Sequence, residues 1–138
     1  MIQEEYVGYE VAKLLNENGF TMNPDVSRWN IGQDNTMYWV SCIGAYSSIP
    51  NNKTAYYLPK DSYPCPTQQM AMRWLREVHK IDIVIDVYSK HSWDDTTDYC
   101  VSIFSHGHRI MRDRYNVFDT YEDACEAAAK YCLENLIK

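Results

Sequence analysis

The chain has 138 residues, 13 of them basic and 19 acidic, for a formal net charge of −6 at neutral pH. That length fits a single domain and is enough to bury a core without metal or disulfide support, and the acidic balance argues against nucleic acid as a partner. Aromatic residues make up 14%, with 12 Tyr against 3 Phe, which excludes a typical disordered segment.

Residues 3–18 read as a helix, because Tyr6 or Val7, Val11, Leu14 and Leu15 recur at helical spacing. Gly19 marks its stop, with Phe20 just beyond. A turn-rich stretch follows. Trp29 and Ile31, two apart, suit a short strand, and residues 36–43 are rich in aromatic and β-branched types, so the pair predicts a hairpin around Asp34-Asn35. Residues 46–65 carry little pattern. Asn51-Asn52 signals a turn, Ala55 to Leu58 suits a strand, and Pro59, Pro64 and Pro66 forbid regular structure before the next helix. The segment reads as a binding loop or a connector.

Pro66 suits the first position of the second helix. This makes Cys65 the N-cap, with Gln68 placed to reach back to its N–H. Met70, Ala71, Trp74, Leu75 and Val78 form the expected apolar stripe. The period then changes to two. Ile81, Ile83, Ile85 and Val87 alternate with Asp82, Val84, Asp86 and Tyr88, and Tyr99, Val101 and Ile103 repeat the pattern after a polar loop over 90–98. Gly107 marks a further turn, and Arg109 to Tyr115 suits a third strand. Thr120 caps a last helix, with Asp123 three residues on and a stripe of Ala124, Ala128, Tyr131 or Cys132, and Leu136. The order predicts one domain over 1–138 of α+β class, a mainly antiparallel sheet with about three helices packed against it.

Cys42, Cys65, Cys100, Cys125 and Cys132 are odd in number and show no Cys-x-x-Cys spacing. The first residues lack a basic and then apolar leader pattern, and no apolar run approaches a membrane span. The expectation is a cytoplasmic protein with reduced, mostly buried thiols and no membrane contact. No phosphate-cradling glycine motif and no nucleophile elbow occurs, so no cofactor and no catalytic residue is assigned. His106 and His108, with His91 and a loop Asp from Asp94, Asp95 or Asp98, are weak candidates for a metal. Solvent-exposed turn histidines are the simpler account. Arg73 and Arg76, three apart on a helix, can bind an anion together. The plainer reading pairs Arg73 with Glu77 on a solvated face. Tyr38, Trp39, Tyr46, Tyr56, Tyr57 and Tyr63 crowd into 26 residues. Tyr is enriched at interfaces, and half of this group reads as core. Tyr46, Tyr56, Tyr57 and Tyr63, with Arg73 and Arg76, are the candidate ligand or partner residues.

The block Cys65 to His79, Cys-Pro-Thr-Gln-Gln-Met-Ala-Met-Arg-Trp-Leu-Arg-Glu-Val-His, resembles a family of small proteins of gut Bacteroidetes and their phages and prophages. Glu10 to Leu15 with Gly19-Phe20, and Tyr121 to Ala124 with Leu136-Ile137, extend the likeness, while residues 23–63 depart from it. The resemblance implies a small cytoplasmic accessory protein expressed in phage-infected or lysogenic cells. It implies no activity. The sequence therefore predicts a non-enzymatic binding module that acts on a host protein or self-associates through the 38–63 region. A nucleotide-like small-ligand sponge and a metal-dependent enzyme are the alternatives.

Overall fold

The computed structural model describes residues 2–23, 25–41, 46–49, 53–55, 58–88 and 97–137; at 46–49, 53–55, 88, 114 and 115 only the backbone is described. Among these residues three helices and eight strands form two compact units, Met1–Thr67 and Gln68–Lys138. The fold is α+β and both sheets are antiparallel.

The first unit holds α1 (Tyr9–Glu17), β1 (Arg28–Ile31), β2 (Met37–Val40), β3 (Tyr46–Ile49), β4 (Lys53–Ala55) and β5 (Tyr63–Pro64), with the sheet in the order β4-β3-β2-β1-β5. Val7, Val11, Ala12, Leu15, Phe20, Ile31 and Cys65 form its buried core. α1 ends as the sequence predicts. Gly19 takes φ +93°, Phe20 N–H donates to Leu15 O at 2.9 Å and Gly19 N–H to Asn16 O at 3.3 Å, a pair that satisfies the last carbonyls. The β1–β2 turn also lies where Asp34-Asn35 predicts. Asn35 adopts φ +64°, and Asp34 Oδ1 accepts from Thr36 N–H at 3.1 Å, which holds the Asp34 carboxyl below its ordinary pKa. Asn35 Oδ1 then accepts from Tyr9 N–H at 3.3 Å and so caps α1, whose own N-cap Gly8 has no side chain to offer.

The predicted helix boundaries need correction at two places, for one reason. α1 begins at Tyr9 rather than residue 3, and the second helix at Gln68 rather than Pro66. The backbone before each start is used elsewhere. Tyr6 bridges Thr67, Val7 N–H donates to Pro66 O at 3.1 Å, Cys65 N–H to Trp29 O at 2.8 Å, and the Cys65 thiol to Val7 O at 3.1 Å. Extended pairing therefore takes Cys65 and Pro66 out of the helix. Pro64, expected to forbid regular structure, lies in the two-residue strand β5 at the sheet edge, where its missing N–H leaves no ladder bond unmade on the outer side.

The second unit runs α2 (Gln68–His79), β6 (Ile81–Tyr88), β7 (Asp98–Ser105), β8 (His108–Phe118) and α3 (Tyr121–Asn135), with the sheet in the order β6-β7-β8. Both helices pack on the sheet and on each other. α3 buries Ala124, Cys125, Ala128, Ala129, Cys132 and Leu133 on one continuous stripe, so Cys132 rather than Tyr131 faces inward. Thr120 caps it by accepting from Asp123 N–H at 3.0 Å. α2 buries a narrower face than predicted, Gln68, Ala71 and Leu75, and leaves Met70 and Val78 exposed. Gln68 does not reach Cys65; its Nε2 donates to Glu122 O at 2.9 Å and Glu126 Oε2 at 3.3 Å, tying the first turn of α2 to that of α3. Leu75 and Ile103 are fully buried, and truncation of either to Ala is expected to cost about 2–5 kcal/mol.

Lys80, between α2 and β6, sits at φ +58°, a conformation that favours glycine. Its carbonyl accepts from His106 N–H at 2.9 Å, and its ammonium donates to Glu77 O at 3.1 Å in an exposed contact. Lys80→Gly relieves the backbone strain at the loss of one solvated bond. It is expected to raise unfolding free energy by about 0.5–1 kcal/mol in urea titration.

Candidate functional site

β8 is too long for its partner. Tyr99 pairs with Phe118 and Val101 with Asp113, so two steps along β7 face five along β8 and three residues are extra. Bulges of this kind re-aim side chains and commonly border functional sites. Here the Asp113 carboxylate secures the excess. Oδ1 accepts from Asn116 N–H at 3.0 Å and Oδ2 from the Asn116 amide at 2.7 Å, closing a local turn between residues three apart.

The bulge borders a groove of about 520 Å³ between β7–β8 and α3. Val101, Met111, Val117 and Phe118 line it from the sheet, and Ala127, Ala128 and Tyr131 from the helix. The alanines are too short to fill the space beside the displaced strand. The lining is mainly apolar, with Asp113, Asn116 and the Tyr131 hydroxyl as its polar members. Its volume lies within the range of small-ligand and side-chain pockets. Asp113 and Asn116 bind each other, so their polar atoms are oriented rather than free to rotate.

Of the candidate ligand, partner and metal residues read from sequence, none among the described residues lines this groove. Tyr63 packs on α1, its ring 5.7 Å from that of Tyr9. The Tyr46 side chain, Tyr56 and Tyr57 lie outside the described residues, as do Asn51-Asn52, Asp94, Asp95 and His91. Arg73 Nε donates to Glu77 Oε1 at 2.9 Å on an exposed helix face, and Arg76 is exposed one turn away. His106 and Gly107 both adopt positive φ, +51° and +82°, and form the two-residue turn of the β7–β8 hairpin. His106 Nδ1 lies 3.1 Å from Ser105 Oγ. The pair is therefore not in the extended geometry that would set both rings on one side. Among the described residues no three His, Cys, Asp or Glu side chains gather as a metal site.

The sequence offers two signals for the groove, the alanine run 127–129 and Asp113 three residues before Asn116. Neither has meaning until the β8 register is known. The buried thiols of α3 are poor nucleophiles. Burial pushes Cys132 up to about 12 and Cys125 up to about 11, the latter opposed in part by a hydrogen bond from Tyr121. No helix among the described residues is long and apolar enough to cross a membrane. No family model, curated protein or solved structure matches the chain.

Two outcomes are expected. Asp113→Ala removes both acceptors from Asn116 and destabilises by about 1 kcal/mol in urea, while Asp113→Asn, which keeps one acceptor, costs less. Cys125 and Cys132 stay protonated in the folded chain past the ordinary thiol value of 9.0. Because their folded pKa values are raised, the unfolded chain ionises first. Their contribution is complete below about pH 9 and is lost as pH rises toward 11 and 12. A disulfide reagent at pH 8 should leave both thiols unreacted until denaturant is added, measured by mass spectrometry of labelled peptides.

Proposed function

We propose that the chain is a non-enzymatic binding module, a phage-type accessory protein that seats an apolar side chain of a host protein in the α3–β8 groove. The lining supports this reading: six apolar residues around about 520 Å³, with Asp113, Asn116 and Tyr131 as the other residues of the lining. An apolar pocket with a few oriented polar groups suits burial of an aromatic or branched side chain, at about 25 cal/mol for each Å² removed from water. The resemblance of residues 65–79 to proteins of phages and prophages supports the accessory role. The nucleotide reading gains less, because Arg73 is held by Glu77 at 2.9 Å.

Indole and toluene serve as stand-ins for such side chains. Each is expected to bind once per chain with an affinity on the order of 1 mM, and to raise the melting temperature with concentration. Ala127→Phe fills the groove from a half-buried position and abolishes that stabilisation while leaving the chain folded. Equal stabilisation of wild type and Ala127→Phe, or none of either, overturns the reading.

A further inference from the structure

Four strands bound the two sheets: β4 and β5 the first, β6 and β8 the second. An edge strand offers unpaired backbone groups to another chain unless it is short, bulged or carries Pro or charged residues, Lys above all. β5 has two residues and contains Pro64; β4 has three and begins with Lys53. β8 is interrupted by two register shifts and carries Arg109 and Arg112. β6 is neither short nor bulged and has no Pro; its charged residues are Asp82 and Asp86, both half-buried, and Asp86 Oδ2 accepts from Ser102 Oγ of β7 at 3.2 Å. Its eight residues, Ile-Asp-Ile-Val-Ile-Asp-Val-Tyr, pair without a break from Ile81–Ser105 to Tyr88–Asp98, and among the described residues they pair with β7 alone.

The side chains of β6 show the same open edge. Ile103 and Val101 on β7 are 0% and 3% exposed, whereas Ile83 and Ile85 beside them are only half-buried. Val84 on one face and Val87 on the other are 40% and 69% exposed. The strand thus presents apolar surface on both faces along its outer side.

We propose that β6 pairs antiparallel with β6 of a second copy about a two-fold axis at Ile85, joining two three-stranded sheets into one of six. Residues directly opposite share a face, so in this register Ile83 meets the second copy's Val87 and Ile85 meets its own equivalent. Half-buried Ile83 and Ile85 and exposed Val87, all on the odd face, each gain an apolar neighbour. Val84 lies opposite the second copy's Asp86, and no two carboxylates face each other. A two-fold axis at Val84 would instead set Asp82 against the second copy's Asp86, which like charge disfavours. The pairing is isologous and closes at two copies. It does not depend on the groove, which uses β7, β8 and α3.

Light scattering on the full chain across micromolar concentrations tests this, with circular dichroism to confirm folding. Wild type is expected at twice the monomer mass, Val84→Lys at the monomer mass, and Val78→Lys, on an exposed helix face, at twice the monomer mass. A second readout on wild type is hydrogen exchange, in which β6 amides slow as concentration rises. Monomeric wild type at every concentration, an open-ended series of masses, a dimeric Val84→Lys, or β6 exchange independent of concentration each overturns the proposal. Monomeric wild type would include the case in which a foreign basic strand is the true occupant.

Discussion

Three surplus residues in β8 have to be accommodated between two fixed pairings, Val101–Asp113 and Tyr99–Phe118. The groove proposed as the binding site of the second unit depends on how that surplus is held. Were β8 a regular strand, its side chains would alternate against α3 at ordinary packing distance, and Ala127 and Ala128 would sit under a continuous surface. The Asp113 carboxylate, bonded to both the backbone and the side chain of Asn116, stabilises the detour instead. A bulge costs ladder hydrogen bonds, and two oriented bonds from one carboxylate offset part of that cost. The groove is the space left by this arrangement, and its apolar lining follows from the sheet and helix faces that border it.

The helix starts show the same competition between local preference and long-range pairing. Pro66 has the right φ for a first helical residue, yet the Pro66 carbonyl accepts from Val7 N–H and its neighbour Thr67 bridges Tyr6. These bonds satisfy backbone groups that would otherwise be buried unpaired, a larger effect than a favourable capping position. In the second unit Gln68 takes up the new role its later position allows. Its buried amide donates to the first turn of α3, so the starts of the two helices are fixed to each other by one side chain.

Much of the fold was legible because its signals are local. Gly19, the Asp34-Asn35 turn, the Thr120 cap and the period-two run over Ile81–Tyr88 each depend on a few adjacent residues, and each appears where it was read. The antiparallel α+β class follows from their order. What failed to read was set at a distance: the partners of Tyr6 and Val7, the place of Pro64 on an edge, the outward turn of Met70 and Val78. The groove was illegible for the same reason. Its residues come from three elements, and what unites them is a register shift that no local pattern encodes. The sequence drew attention instead to the tyrosines, of which Tyr63 packs against α1, while Tyr56 and Tyr57 lie outside the described residues. The histidines are the exposed turn residues that their place beside Gly107 suggests: positive φ at His106 and Gly107 makes the tight turn, and both rings belong to exposed residues.

The central claim is that the space between α3 and β8 is a binding site rather than a packing defect. Methyl-resolved NMR during titration with indole addresses it directly. The account predicts saturable shifts confined to the methyls of Val101, Met111, Val117, Ala127 and Ala128. Shifts spread over the buried methyls of both units, or none at the groove, would contradict it.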